Sequence, residues 1–159
     1  MIHLVPLFLP RMEPKQELAL ARMLPKAEHR IPLLEPLVEN PRSTPEDLRD
    51  AAELVLPAST ALASELLREA ERRGSAPLDS ELLRARILRV QGDVAGSVQA
   101  LERARRAAPG DPRPDLLEAR FREREGDRQG TLAALRRAHD KAPEELAVTL
   151  ELARVLAVA

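Results

Sequence analysis

The chain of 159 residues has no Cys, no Trp and no Tyr, and only two Phe. Without Cys there are no disulfides, no thiolate metal ligands and no Cys nucleophile. With Phe8 and Phe121 as its only aromatic rings, the chain offers few platforms on which single-stranded nucleic acid could stack. β-Branched residues are also scarce, so little favours strands. No apolar run is long enough to cross a membrane. The formal net charge is -1, too small for a global field that would gather nucleic acid or anionic lipid.

Catalytic signatures are missing too. None of His3, His29 and His139 has a second His or a carboxylate at metal-ligand spacing. His139 and Asp140 are adjacent, and neighbours on a helix point apart. There is no Gly-rich phosphate loop, nucleophile elbow or paired-His zinc motif. The expectation is a protein that is not an enzyme and uses no cofactor or metal. The apolar stretch from Ile2 to Leu9 is interrupted by Pro6 and has no basic lead or small-residue cleavage site. It is therefore not expected to be a signal peptide, and the expected location is cytoplasmic.

What the chain does have is Leu, Ala, Arg and Glu, all good helix formers. It also says nearly the same thing twice. Leu82-Leu83-Arg84-Ala85-Arg86, Gly92-Asp93, Gly96, Ala100-Leu101, Arg103-Ala104 and Pro109 recur as Leu116-Leu117-Glu118-Ala119-Arg120, Gly126-Asp127, Gly130, Ala134-Leu135, Arg137-Ala138 and Pro143. Arg84/Glu118 is the one pair that differs. An internal repeat dictates architecture, because each unit must bury its apolar face on the next.

Each copy reads as a helix, a tight turn and a second helix. Gly92 and Gly126 end the first helices, since Gly adopts the left-handed cap without steric penalty. Asp93 and Asp127 cap the second helices, 94–108 and 128–142. Their inward faces are expected to carry Val94, Val98, Leu101, Ala104 and Ala108, then Leu132, Leu135, Ala138 and Ala142. Asp111 and Pro112 are expected to open the helix 112–125 as cap and first residue. Residues 44–77 form a worn copy: Leu48, Ala51, Leu67 and Ala70 fall 34 before Leu82, Ala85, Leu101 and Ala104. Residues 146–159 supply the first helix of another. The expected units are thus 1–43, 44–77, 78–111, 112–145 and 146–159. In 1–43, prolines at 6, 10, 14, 25, 32, 36 and 41 allow only short helices and an irregular cap.

A 34-residue period with this pattern resembles the tetratricopeptide repeat (TPR). On that resemblance, Ala85 and Ala119 are the small residues of the first helix, Gly92 and Gly126 the turn glycines, and Leu101 and Leu135 the large apolar residues of the second helix. Ala104 and Ala138 are its small residues, and Pro109 and Pro143 the closing prolines. Departures are Glu81 and Asp115 where the family often has Trp, Leu88 and Arg122 at a frequently aromatic position, and Ser97 and Thr131 at the small residue opening the second helix. The resemblance implies an all-α, right-handed α-solenoid of about three helical pairs, plus a C-terminal helix, working as a protein–protein interaction module: an adapter or assembly subunit.

In that pattern the first helices line the concave face. Arg86, Arg120 and Arg154 hold one repeat position and would form a ladder with rungs about 10 Å apart. Arg89 and Arg124 would add charge, and Leu82 and Leu116 apolar contact. Arg forks grip carboxylates bidentately, so the expected partner is a protein or peptide with an internal acidic segment. The alternatives are a solvated ladder balanced by Glu123 and Glu151, and a basic-groove module for nucleic acid or phosphorylated ligands. The C-terminal helix is apolar over most of its circumference. It implies a fragment of a longer array, a homo-oligomer joined through Leu152, Val155 and Leu156, or a tolerated end.

Overall fold

Helices fill most of the described residues between their Pro and Gly stops. The computed structural model describes residues 12–157, and no strand occurs among them. The expectations for Ile2–Leu9 lie outside the described residues. After α1 (Pro14–Met23) come a 3₁₀ turn (Ala27–Arg30), the short α2 (Ile31–Leu34) and a second 3₁₀ turn (Glu35–Leu37). The longer helices follow: α3 (Pro45–Val55), α4 (Thr60–Arg72), α5 (Pro77–Val90), α6 (Val94–Ala107), α7 (Arg113–Arg124), α8 (Arg128–Lys141) and α9 (Leu146–Ala157). The second helix of each pair thus starts at 60, 94 and 128, keeping the 34-residue period. No described helix is long and apolar enough to cross a membrane.

The repeated caps are repeated in space. Gly92 and Gly126 lie at φ 83° and 74°, and the amides of Asp93 and Asp127 close the turn onto the carbonyls of Leu88 and Arg122, each at 2.9 Å. Asp93 and Asp127 then accept from the amides of Gly96 and Gly130 at 2.8 and 2.9 Å. This gives the second glycine of each copy a reason: a Cβ there would press into the capping carboxylate. Thr44 caps α3 in a reciprocal box with Asp47, as Thr44-Pro45 suggests. Helix α7 begins one residue later than expected. Pro112 takes the cap position, and Asp111 instead accepts from the amide of Arg113 at 2.9 Å.

Consecutive helices pack as pairs, α3 on α4, α5 on α6 and α7 on α8; α3 also touches α5, and α5 touches α7. Three apolar clusters run along the chain. The first joins Leu18, Ala21, Leu34 and Leu37 of the lead-in to Leu48, Ala51, Leu66, Leu67, Leu83 and Ile87. The second holds Ala85, Ala100, Leu101 and Phe121, and the third Ala119, Ala134, Leu135 and Val155. Arg73 fastens the lead-in: its guanidinium donates to the carbonyls of Val38, Asn40 and Ser43 at 3.1, 2.8 and 2.7 Å.

One expectation about the core is corrected. Val94 and Val98 are 50% and 45% exposed. The buried arc of α6 is Ser97, Ala100, Leu101 and Ala104, which centres the helix so that both valines fall beyond its edge. Ser97 is inside because its hydroxyl donates to the carbonyl of Ala85 at 3.0 Å, tying second helix to first.

Candidate functional site: grooves along the first helices

Two grooves run beside the first helices. One, of about 450 Å³, is lined by α3, α5 and α7 through Arg49, Asp50, Glu53, Asp79, Leu82, Leu83, Arg86, Arg113, Leu116, Leu117 and Arg120. The other, of about 500 Å³, lies among α7, α8 and α9 and includes Leu116, Arg120, Glu123, Leu135, Leu150, Glu151 and Arg154. Leu116 and Arg120 line both.

The structure brings Leu82, Leu116, Arg86 and Arg120 together, and places Arg154 in the second groove. The three arginines of the repeat position then differ in electrostatic state. Arg86 pairs with Glu53 at 2.6 Å. Arg154 pairs with Glu123 at 2.7 Å and Glu151 at 2.9 Å; those pairs hold its guanidinium above the ordinary Arg pKa. Arg120 is exposed and has no hydrogen-bond or ion-pair partner among the described residues. The reason is legible in the period. Thirty-four residues after Glu53 stands Ile87, and 34 before Glu123 stands Arg89. The middle rung meets no acid where its two neighbours do.

Arg89 does not add free charge to the groove. It lies over the Phe121 ring, 4.9 Å from the centroid, and its guanidinium also pairs with Glu125. Arg124 is exposed and lines neither groove.

Sequence reasoning missed Arg49, Asp79 and Arg113. Asp79 binds Arg113 at 2.8 Å and Arg49 at 3.6 Å, and all three line the first groove. Asp79 and Arg113 are 34 residues apart, so the period could have pointed to them, but their unlike residue types hid the match.

A third set of charges lies away from these grooves, around Asp115. Its side chain is fully buried and ion-paired to Lys141 at 2.7 Å, Arg105 at 2.9 Å and Arg137 at 3.1 Å. Burial opposes its ionisation, but the ion pair with Lys141, the hydrogen bond from Arg137 and the charge of Arg105 outweigh it, and its pKa falls below the ordinary carboxylate value. Glu118 shares Arg105 and Arg137. With its cations spoken for by carboxylates, this cluster holds helices together and offers no free charge to a ligand.

The described residues contain no group of His, Cys, Asp and Glu placed to hold a metal. Of the predicted self-association residues, Val155 is 8% exposed and Leu152 is partly buried, both packed against the Ala119–Ala134–Leu135 cluster. They face α8 because the 148/152/155 stripe is the inward side of α9. Leu156 alone of the three is exposed, at 48%. No family model matches the chain, and no curated protein matches it.

Proposed function

We propose that this chain is a protein–protein interaction module, a short right-handed solenoid of TPR-like helical pairs acting as a non-catalytic, cytoplasmic adapter or assembly subunit. The 34-residue spacing of α4, α6 and α8 and the contacts from α3 to α5 to α7 support the solenoid. Its partner is a peptide segment carrying an acidic residue between apolar ones, laid along the first helices.

The observation that carries this reading is Arg120. It is the one rung of the arginine ladder without a carboxylate among the described residues, and it stands on the wall shared by the two grooves. Free guanidinium forks bind carboxylates bidentately. Leu82, Leu83, Leu116 and Leu117 supply apolar contact on one side, and Leu135 and Leu150 on the other. Asp50, Glu53 and Asp79 also line the first groove, which disfavours a polyanion and makes nucleic acid the weaker reading.

The test is selection from a random peptide library, followed by fluorescence anisotropy on the enriched sequences. An acidic residue with apolar flanks should be selected, and Arg120→Ala should weaken binding at least tenfold while circular dichroism is unchanged. Arg86→Ala and Arg154→Ala should cost less, since each of those residues already has a partner. Enriched peptides without an acid, or equal binding by Arg120→Ala, would sink the reading. Tight binding of single-stranded oligonucleotide that falls steeply with salt would favour the nucleic-acid reading instead.

A further inference from the structure

Helix α9 carries two apolar stripes. The inner one, Val148, Leu152 and Val155, packs into the protein. The outer one is Leu146, Leu150, Ala153 and Ala157, all exposed; Leu146 is 69% and Leu150 58% accessible. The repeat shows that this second stripe is not an ordinary surface. Ala85 and Ala119, which hold the position of Ala153 in the two preceding first helices, are 0% and 3% exposed. In those helices a following helix covers the position; at α9 the described residues leave it open.

The outer stripe has spacings of four, three and four residues, the pattern of a helix–helix seam. Its order is large, large, small, small. Turned end for end, that order is its own complement. In an antiparallel pair about a two-fold axis, Leu146 meets the partner's Ala157, and Leu150 meets the partner's Ala153, so every knob finds a small residue opposite. A parallel in-register pair would put Leu on Leu at one end and Ala on Ala at the other, which cannot keep one interaxial distance.

Charge permits the antiparallel pairing. Beside the seam stand Ala147 and Arg154 on one edge and Thr149 and Leu156 on the other. Antiparallel geometry sets Arg154 against the partner's Ala147, and Leu156 against the partner's Thr149. No like charges face each other, and Arg154 keeps its own-chain partners Glu123 and Glu151.

We infer that α9 is a homodimerisation surface in which two copies of this chain pair antiparallel through Leu146, Leu150, Ala153 and Ala157. A seam about 18 Å long falls at the small end of specific interfaces, so the dimer is a reversible one with a dissociation constant on the order of micromolar. Leu150 also lines the second groove, so pairing narrows that groove and leaves the first untouched.

The absence of Cys makes a direct test available. Leu146→Cys and Ala157→Cys are prepared separately in the full chain, both at exposed sites that leave the core alone. Under mild oxidation at about 0.1 mM protein, above the expected dissociation constant, the mixture should form a disulfide-linked heterodimer. Each variant alone should not, because an antiparallel seam holds two copies of position 146 about 16 Å apart along the axis, beyond disulfide reach. Ala153→Glu should weaken self-association at least tenfold by sedimentation velocity, whereas Ala133→Glu, on the exposed side of α8, should not. A monomer at that concentration, cross-linking of Leu146→Cys with itself, or indifference to Ala153→Glu would each overturn the inference.

Discussion

Arg84 and Glu118 hold the same repeat position with opposite charge, and each finds its counter-charge at the same place on the helix before it. Arg84 on α5 pairs with Glu71 on α4; Glu118 on α7 pairs with Arg105 on α6. Glu71 and Arg105 are themselves 34 residues apart. The mismatch between Leu82–Arg86 and Leu116–Arg120 is thus a compensated exchange of sign. It also discriminates between near-identical repeats: α7 docked onto α4 would set Glu118 against Glu71, so the exchange disfavours skipping a unit.

The first prediction follows from that exchange. Arg84→Glu places an acid beside Glu71 and near Glu81, which lies 3.4 Å from Arg84. It should cost about 1 kcal/mol, the upper range for a partly exposed pair. Adding Glu71→Arg restores opposite signs and should recover at least half of that cost in urea denaturation. A double variant no more stable than Arg84→Glu alone would show that the two side chains are not coupled.

A second prediction concerns Asp115. Its pKa is lowered in the fold, from an unfolded value near 3.9. A depressed carboxylate contributes stability above the unfolded pKa and loses it as pH falls through the folded pKa. Acid unfolding should therefore draw on Asp115 below about pH 4. Asp115→Asn should be destabilised at pH 7 by about 1–3 kcal/mol, since Lys141 and Arg137 lose a buried counter-charge, and its stability should fall less between pH 5 and pH 3 than that of the unmodified chain. Parallel pH profiles would mean that other carboxylates carry the acid response.

A third concerns the turns. Gly92 and Gly126 have positive φ, where a β-branched residue is strained. Gly92→Val and Gly126→Val should each destabilise by about 1 kcal/mol or more. Gly96→Ala and Gly130→Ala should cost less than that: the added methyl displaces the capping carboxylates of Asp93 and Asp127, a loss of about 1 kcal/mol that the better helix propensity of Ala offsets by a similar amount. Combining Gly96→Ala with Asp93→Ala should then be less than additive, which thermal unfolding of the single and double variants can measure.

A fourth concerns the core. Leu101 and Leu135 are 2% and 3% exposed in successive clusters. Leu101→Ala and Leu135→Ala should each cost roughly 2–5 kcal/mol. Thermal shifts below half a degree for both would be incompatible with burial at these positions.

The sequence by itself determined the helices of the repeats, their boundaries to within a residue or two, and the turns between them; in the lead-in it pointed only to short helices, without the bounds of α2 and its flanking 3₁₀ turns. Those features are local. Glycine at a positive-φ cap, an aspartate three residues before an amide it can accept from, and proline at a first turn act over a few residues, so they need no knowledge of the rest of the fold. The period did the remaining work: it aligned Arg86, Arg120 and Arg154 and placed Leu82 and Leu116 beside them. Charge state was not local. Whether an arginine is free depends on what stands on the neighbouring helix some 30 residues away. Only the packed structure showed Glu53 reaching Arg86, Glu123 reaching Arg154, and nothing reaching Arg120. Side-chain direction on α9 was decided the same way. Leu, Val and Ala cover most of that helix, so periodicity offered no single inward face. Contact with α8 chose Val148, Leu152 and Val155, because only one side of a helix can be turned toward the apolar surface already there, and that choice left the outer stripe exposed.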